Sequence, residues 1–206
     1  GLLNPSKMAI YHNTSIIDLY RMVPLELNFF GSFRFMAGYK DCSGEFQTRR
    51  KLRKILAYLV HSSPNKVSRE ELKRVFWDKD KAFDLDANLR VALSTMKKIL
   101  AEYGLGDLMV CESGRVFINS RYQIVNDYKM LLVAYKRAKT FFQEAELVKA
   151  ESYLKKIIQL SIDRVFPDIS WDFLEIKVRK QVEHILESSL EMLLELARRG
   201  GKWAQA

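Results

Sequence analysis

Within residues 85 to 119 the apolar pattern changes from helical spacing to an alternation around Glu112-Ser113-Gly114. The helical part predicts an amphipathic helix that ends before Gly104, and its apolar side chains are Leu85, Leu89, Leu93, Met96 and Leu100. Alternation then runs from Leu108 to Asn119, and Gly114 can adopt the positive φ that a hairpin turn demands. The chain must therefore form a helix that is followed at once by a β-hairpin.

Two short strands are predicted at the start of the same region. Apolar residues alternate from Leu25 to Phe29 and again from Phe33 to Phe35, with a turn at Gly31-Ser32. A helix follows, because apolar residues recur at i, i+3, i+4, i+7 and i+8 from Leu52 to Val60 before Ser62-Ser63-Pro64 ends the pattern.

A second, shorter helix is predicted from Ser68 to about Trp77. Ser68 and Glu71 have the capping-box spacing, in which the Ser68 hydroxyl accepts from the Glu71 amide and the Glu71 carboxylate reaches back to Ser68. The acidic run from Asp78 to Asp86 lacks the glycine and the closing glutamate of a calcium loop. We therefore expect a polar linker there, with Asp84 or Asp86 capping the third helix.

From Asn126 onward the periodicity is helical almost throughout, which predicts packed α-hairpins interrupted at Phe166-Pro167. Gly200-Gly201 predicts a helix break, followed by the start of another helix that has no room to continue. We expect a chain cut inside a longer protein, with residues 1–22 as an N-terminal remnant or linker.

Positive charge is concentrated in one part of the chain. The formal net charge is +9, and residues 45–104 hold 14 Lys/Arg against 8 Asp/Glu, whereas residues 123–206 hold 14 against 12. A basic segment joined to a nearly neutral one is typical of a module that binds a polyanion.

Several function classes find no support in the sequence. No apolar run is long enough to span a bilayer, and no signal peptide opens the chain, so we expect a cytoplasmic protein without a membrane partner. Cys42 and Cys111 are predicted to be free thiols. The three histidines are too scattered for a ligand set, and no phosphate-binding or nucleophile motif occurs. We expect neither an enzyme nor a metal site nor a cofactor.

The order of strands, three helices and hairpin resembles an OmpR-type winged helix-turn-helix. The motifs of residues 27–35, 55–59, 67–72 and 76–77, and the helix of residues 88–100, resemble successive motifs of the Streptomyces antibiotic regulatory protein family. Val125-Asn126-Asp127-Tyr128 and the helical pairs after it resemble the tetratricopeptide-like bacterial transcriptional activator domain. The resemblance covers about residues 25 to 206.

This resemblance implies a mainly α fold of the α+β type. A winged helix-turn-helix with N-terminal antiparallel strands and a C-terminal wing hairpin would occupy residues 23–122. Tetratricopeptide-like α-hairpins of the activator domain would follow in residues 123–206. The implied function is sequence-specific DNA binding by a transcriptional regulator, in the sense of an activator, with a recognition helix at about residues 85–101 in the major groove and a wing at residues 108–119.

Candidate DNA-binding residues lie on the polar side of that recognition helix and around it. We expect small residues at its centre to allow close approach, Asn88 to bond adenine, Arg90 to reach guanine and a valine methyl to pack on thymine. The alternative is an ordinary solvated helix face. The candidates on the helix are Asn88, Arg90, Val91, Ser94, Thr95, Lys97 and Lys98.

Phosphate contacts are expected from Lys97 and Lys98, and from one or two of the basic residues that open the first helix, Arg49 and Arg50 foremost, with the rest solvated. Arg115 follows the hairpin glycine, where it either enters the minor groove or is an exposed turn arginine.

The expected partners are double-stranded DNA and, through the helical repeats, RNA polymerase or another protein. A homodimer on DNA is a further possibility. A second hypothesis is a protein-interaction module whose winged helix no longer binds DNA. It is motivated by Thr95 and Lys97, which stand where the family often has arginines.

Overall fold

The computed structural model describes residues 24–77, 84–163 and 174–203. The expected N-terminal remnant, most of the acidic linker and the interruption at Phe166-Pro167 lie outside the described residues. In chain order, the described helices are α1 Gly44–Thr48, α2 Arg50–Ser62, α3 Arg69–Trp77, α4 Leu85–Glu102, α5 Asp127–Gln143, α6 Leu147–Leu160 and α7 Leu174–Trp203. The described strands are β1 Leu25–Leu27, β2 Phe35–Ala37, β3 Lys40–Asp41, β4 Val67–Ser68, β5 Met109–Glu112, β6 Arg115–Ile118 and β7 Ile124–Asn126.

The described strands form two small sheets, one of order β3-β2-β1-β7 and one of order β4-β6-β5. In the second sheet β5 and β6 are antiparallel, with Glu112 opposite Arg115. Ser113 and Gly114 make the turn between them with φ of 48° and 73°, which is the left-handed geometry of a tight hairpin. The predicted hairpin is therefore confirmed, and β4 adds a third strand to it.

The helix predicted after the acidic linker is α4. Leu89, Met96 and Leu100 are fully buried along its inner side, as the apolar spacing requires. Asp84 is its N-cap, because the Asp84 carboxylate accepts from the Ala87 amide at 2.8 Å. Gly104 follows the end of the helix with φ of 78°.

Ser68 caps α3 as predicted, but the reciprocal half of the capping box differs. The Ser68 hydroxyl accepts from the Glu71 amide at 3.0 Å. The Glu71 carboxylate, which was expected to reach back to Ser68, accepts from the Tyr58 hydroxyl at 2.6 Å. The Glu71 carboxylate therefore links α3 to Tyr58 on α2 and does not complete the capping box.

Replacing Ser68 by alanine removes the acceptor for the Glu71 amide. We expect the variant to lose about 1 kcal/mol of unfolding free energy, the usual effect of deleting an N-cap hydroxyl. Urea denaturation followed by circular dichroism measures the loss. Ser120→Ala is the matched control because Ser120 is exposed in a turn, and an equal loss in both variants would contradict the capping role.

The described residues form two compact units: those of 24–27 with 34–124, and those of 28–33 with 125–203. The segment 28–33 connects β1 to β2 and yet belongs to the second unit. The predicted strand extension to Phe29 is wrong, since β1 ends at Leu27. Phe29, Phe30 and Phe33 are instead buried, with 0%, 6% and 7% of their surface exposed.

Asp127 holds this segment within the second unit. Its carboxylate accepts from the Phe29 amide at 2.7 Å and from the Phe30 amide at 2.9 Å. The Phe29 ring also stacks on Tyr128, with 6.1 Å between ring centroids. Burial raises the pKa of Asp127, although the amide donors that surround it favour the charged form.

The helices of the second unit pack as the apolar pattern predicts, with α6 against both α5 and α7. Tyr128 bonds Gln181, and Tyr135 bonds Ser188 at 2.9 Å. Both pairs are 53 residues apart in sequence, so α5 and α7 run parallel, as the first helices of successive α-hairpins do. The predicted break at Gly200-Gly201 is wrong, because α7 continues to Trp203; a helix tolerates glycine at about 1 kcal/mol per residue.

Candidate nucleic-acid interface

The outer side of α4 is accessible to solvent. Val91 at its centre is 63% exposed, whereas Leu89 and Leu93 on the opposite side are 0% and 4% exposed. Thr95 is half-buried, and the remaining candidates on the helix are exposed: Asn88, Arg90, Ser94, Lys97 and Lys98. A ridge of small and polar side chains therefore projects from the first unit.

Three cations lie on this ridge. Within the described residues, the side chains of Arg90, Lys97 and Lys98 form no hydrogen bond or ion pair. At 100° per residue, Arg90 and Lys97 lie on one edge of the ridge, and Asn88 and Thr95 on the other. The two edges therefore differ in chemistry, one cationic and the other neutral and polar.

An open groove of about 480 Å³ runs beside the neutral edge. One wall belongs to α4, and the other contains the residues at the start of α2 and Trp77 at the end of α3. The structure thus brings Arg49 and Arg50 close to α4 although they lie far from it in sequence. The lining residues are Arg49, Arg50, Lys51, Leu52, Trp77, Asn88, Val91, Ala92 and Thr95.

The basic residues around the start of α2 have different surroundings. Arg49 pairs with Glu45, with 3.3 Å between Nη2 and Oε2. The Lys51 ammonium lies 4.7 Å from the centre of the Trp77 ring, a cation–π contact. The Arg50 side chain forms no hydrogen bond or ion pair with any residue that the structure describes. Arg53, another of the basic residues that open this helix, is neither solvated nor available to a phosphate, because its position in the helix turns it inward and buries it.

Arg115 lies on the wing, apart from the groove. Its side chain is exposed, and its Nη1 donates to the Lys66 carbonyl oxygen at 3.3 Å. Lys66 itself lies 4.0 Å from Glu112 and 4.3 Å from the Phe117 ring centre. One donor of the Arg115 guanidinium therefore bonds the residue just before β4, and the group has further N–H donors beside it.

Lys73 fixes α3 against the start of α4. Its ammonium bonds Glu70 at 2.7 Å and Asp86 at 3.0 Å. These two carboxylates raise the pKa of Lys73, Glu70 contributing most, because both favour the charged ammonium. Sequence reasoning missed Lys73 and Trp77 as contributors to the site, because each acts through a residue of another helix.

The described residues contain no cluster of three or more His, Cys, Asp or Glu that could hold a metal ion. Nor does any helix among them have the length and hydropathy that crossing a membrane requires.

Comparison with known proteins finds a similar fold among solved structures. No protein-family model matches the chain, and no curated protein matches it in sequence. Among solved structures, it is similar to Mycobacterium tuberculosis EmbR in complex with a low-affinity phosphopeptide, with a TM-score of 0.68 and 15% sequence identity. The match covers 89% of this chain and 49% of the EmbR chain, so this chain spans about half of that protein's length. The predicted fold class, a winged helix followed by packed helices, is confirmed.

Proposed function

We propose that this chain is a sequence-specific DNA-binding transcriptional regulator of the Streptomyces antibiotic regulatory protein type, acting as an activator in the cytoplasm. The observation that carries the proposal is the exposed ridge around Val91. The cations on it, Arg90, Lys97 and Lys98, have no side-chain hydrogen bond or ion pair to any described residue. In a winged helix such a ridge enters the major groove, and the wing of residues 108–119 lies along the adjacent backbone. The likeness to EmbR supports the fold on which this docking depends.

The chemistry of the ridge matches the groove of B-DNA. Val91 and Ser94 are small, so the backbone of α4 can approach the base edges closely. An amide side chain at Asn88 pairs with adenine, and a guanidinium at Arg90 pairs with guanine, each contributing about 1 to 3 kcal/mol of discrimination. Lys97 and Lys98 contact phosphates and set the register of the protein on the duplex.

The helical part is proposed to hold a protein partner. Residues 23–122 would form the DNA-binding domain, and residues 123–206 a tetratricopeptide-like activator domain. The parallel course of α5 and α7 supports a repeat arrangement, and stacked repeats offer extended surfaces to other proteins. RNA polymerase or another protein would bind there, and a second copy of the chain would occupy the neighbouring half-site.

DNA binding is tested by selecting binding sites from a random duplex library and measuring affinity for the selected site by fluorescence anisotropy. We expect log K to fall linearly with log salt, with a slope of about −0.9 for each phosphate contact. Scrambled duplexes of equal length should bind at least about 1,000-fold more weakly. Failure to bind any duplex at low salt would contradict the proposal and favour the interaction module without DNA binding.

A further inference from the structure

We propose that the groove between α2 and α4 holds one particular strand of the bound duplex, so that Arg50 contacts a phosphate of the same strand whose adenine Asn88 reads. This inference rests on the proposed function and adds a strand assignment to it. In this assignment Asn88 specifies a base, and Arg50 binds the sugar–phosphate backbone of the same strand.

The first step is that Arg50 and Asn88 line the same groove. Arg50 and Asn88 belong to different helices, yet both line the same open groove of about 480 Å³. Between them lies an apolar floor that includes Leu52 and Ala92. A cation on one wall and an amide on the other, over an apolar floor, match a nucleotide, which has a phosphate at one end and a base with polar edges at the other.

The second step is the geometry of the major groove. A recognition helix in this groove lies between the two sugar–phosphate backbones, with base edges at the floor. An element that flanks one edge of the helix therefore meets only the nearer strand. The start of α2 flanks the edge that bears Asn88 and Thr95, whereas Arg90 and Lys97 lie on the other edge and face the opposite strand.

The third step selects Arg50 among the three cations of the wall. Arg49 is partly neutralised by Glu45, and the Lys51 ammonium lies over Trp77. Arg50 is exposed and has no side-chain partner within the described part of the chain. A planar guanidinium also binds phosphate through two parallel N–H groups, which an ammonium cannot do.

An open groove favours a strand over a small anion. A small-molecule site is a concave pocket that buries most of its ligand, whereas this groove is open to solvent and lined by the exposed Val91. A polymer that passes along the groove needs no enclosure, since its remaining contacts lie outside.

Strand-specific backbone neutralisation tests the assignment. Using the full chain and its selected duplex, single phosphates are replaced by neutral methylphosphonates at each position of each strand. We expect one phosphate whose neutralisation weakens the wild type about 5- to 10-fold and leaves Arg50→Ala unchanged. The salt slope of Arg50→Ala should be shallower by about 0.9. Arg50→Lys should retain part of the affinity, because it keeps the charge.

Base reading is tested in parallel with Asn88→Ala. We expect this variant to lose its preference for adenine at one position by about 10-fold while its salt slope stays that of the wild type. That adenine should lie on the strand of the phosphate identified with Arg50→Ala, within about three nucleotides of it.

Arg74→Ala is the matched control, since it removes an exposed cation from α3 that does not line the groove. The inference is overturned if the two effects fall on opposite strands, or if Arg50→Ala behaves like Arg74→Ala. In both cases wild-type DNA binding would survive, and with it the proposed function. Absence of binding by the wild type would overturn both.

Discussion

A chain with both Lys97 and Lys98 changed to glutamate is expected to lose at least about 100-fold in affinity for its selected duplex and to remain folded. Both side chains are exposed on α4 and have no side-chain partner among the described residues, so their exchange breaks no interaction seen in the fold. On DNA, two phosphate contacts become two repulsions, and losing two contacts alone removes about 1.8 from the salt slope. Anisotropy titrations at several salt concentrations measure affinity and slope together.

The chain offers a closely matched control for this double change. Lys155 and Lys156 are also adjacent, exposed and helical, and are followed by two apolar residues, as Lys97 and Lys98 are. They differ in one respect, since Lys155 forms an exposed ion pair with Glu151 at 2.6 Å, so circular dichroism must first show that the control is folded. Their exchange for glutamate alters the net charge by the same amount on α6. If this control lost as much affinity as the change on α4, the effect would reflect total charge, and α4 would not be the DNA-contacting helix.

Asp127→Ala is expected to destabilise the protein by about 2 to 4 kcal/mol. The substitution deprives the Phe29 and Phe30 amides of their acceptor, and each donor left unpaired in a partly buried place costs about 1 to 3 kcal/mol. The three phenylalanines of residues 28–33 then lose the anchor that keeps them packed. Urea unfolding monitored by tryptophan fluorescence and by circular dichroism measures the loss.

Two further variants separate the anchoring role from a general charge effect. Asp127→Asn keeps one acceptor oxygen and should fall between the wild type and the alanine variant. Glu144→Ala removes an exposed carboxylate just after the other end of α5 and should change stability by less than about 0.5 kcal/mol. A loss in Asp127→Ala no greater than in Glu144→Ala would show that the segment needs no anchor.

Local patterns predict the parts of this fold that neighbouring residues determine. The inner side of α4, the Asp84 cap and the Ser113-Gly114 turn follow from spacings of a few residues, and each is found where the pattern places it. Helix α1 and the strands β3, β4 and β7 escaped prediction. The three strands have two or three residues each, too few for an alternation. Strands β4 and β7 also depend on pairing with strands that are distant in the sequence, whereas β3 pairs with the adjacent strand β2.

Local patterns cannot predict structural features that are formed by two segments far apart in the sequence. The alternation through Phe29 favoured a strand, but a carboxylate 98 residues later in the chain binds the Phe29 amide. Similarly, the residues of the ridge around Val91 could be predicted from the pattern of that helix alone. The groove beside it could not, because its second wall is supplied by α2 and Trp77.

The assignment of residues 28–33 to the second unit has a practical consequence for anyone dividing this chain. A cut between residues 122 and 123 would leave the C-terminal fragment without Phe29, Phe30 and Phe33, and would leave the N-terminal fragment displaying them to water, where exposed apolar surface promotes aggregation. A chimera that exchanges the helical half for that of another protein of this fold must therefore transplant this hexapeptide together with it, as a graft at two places in the gene.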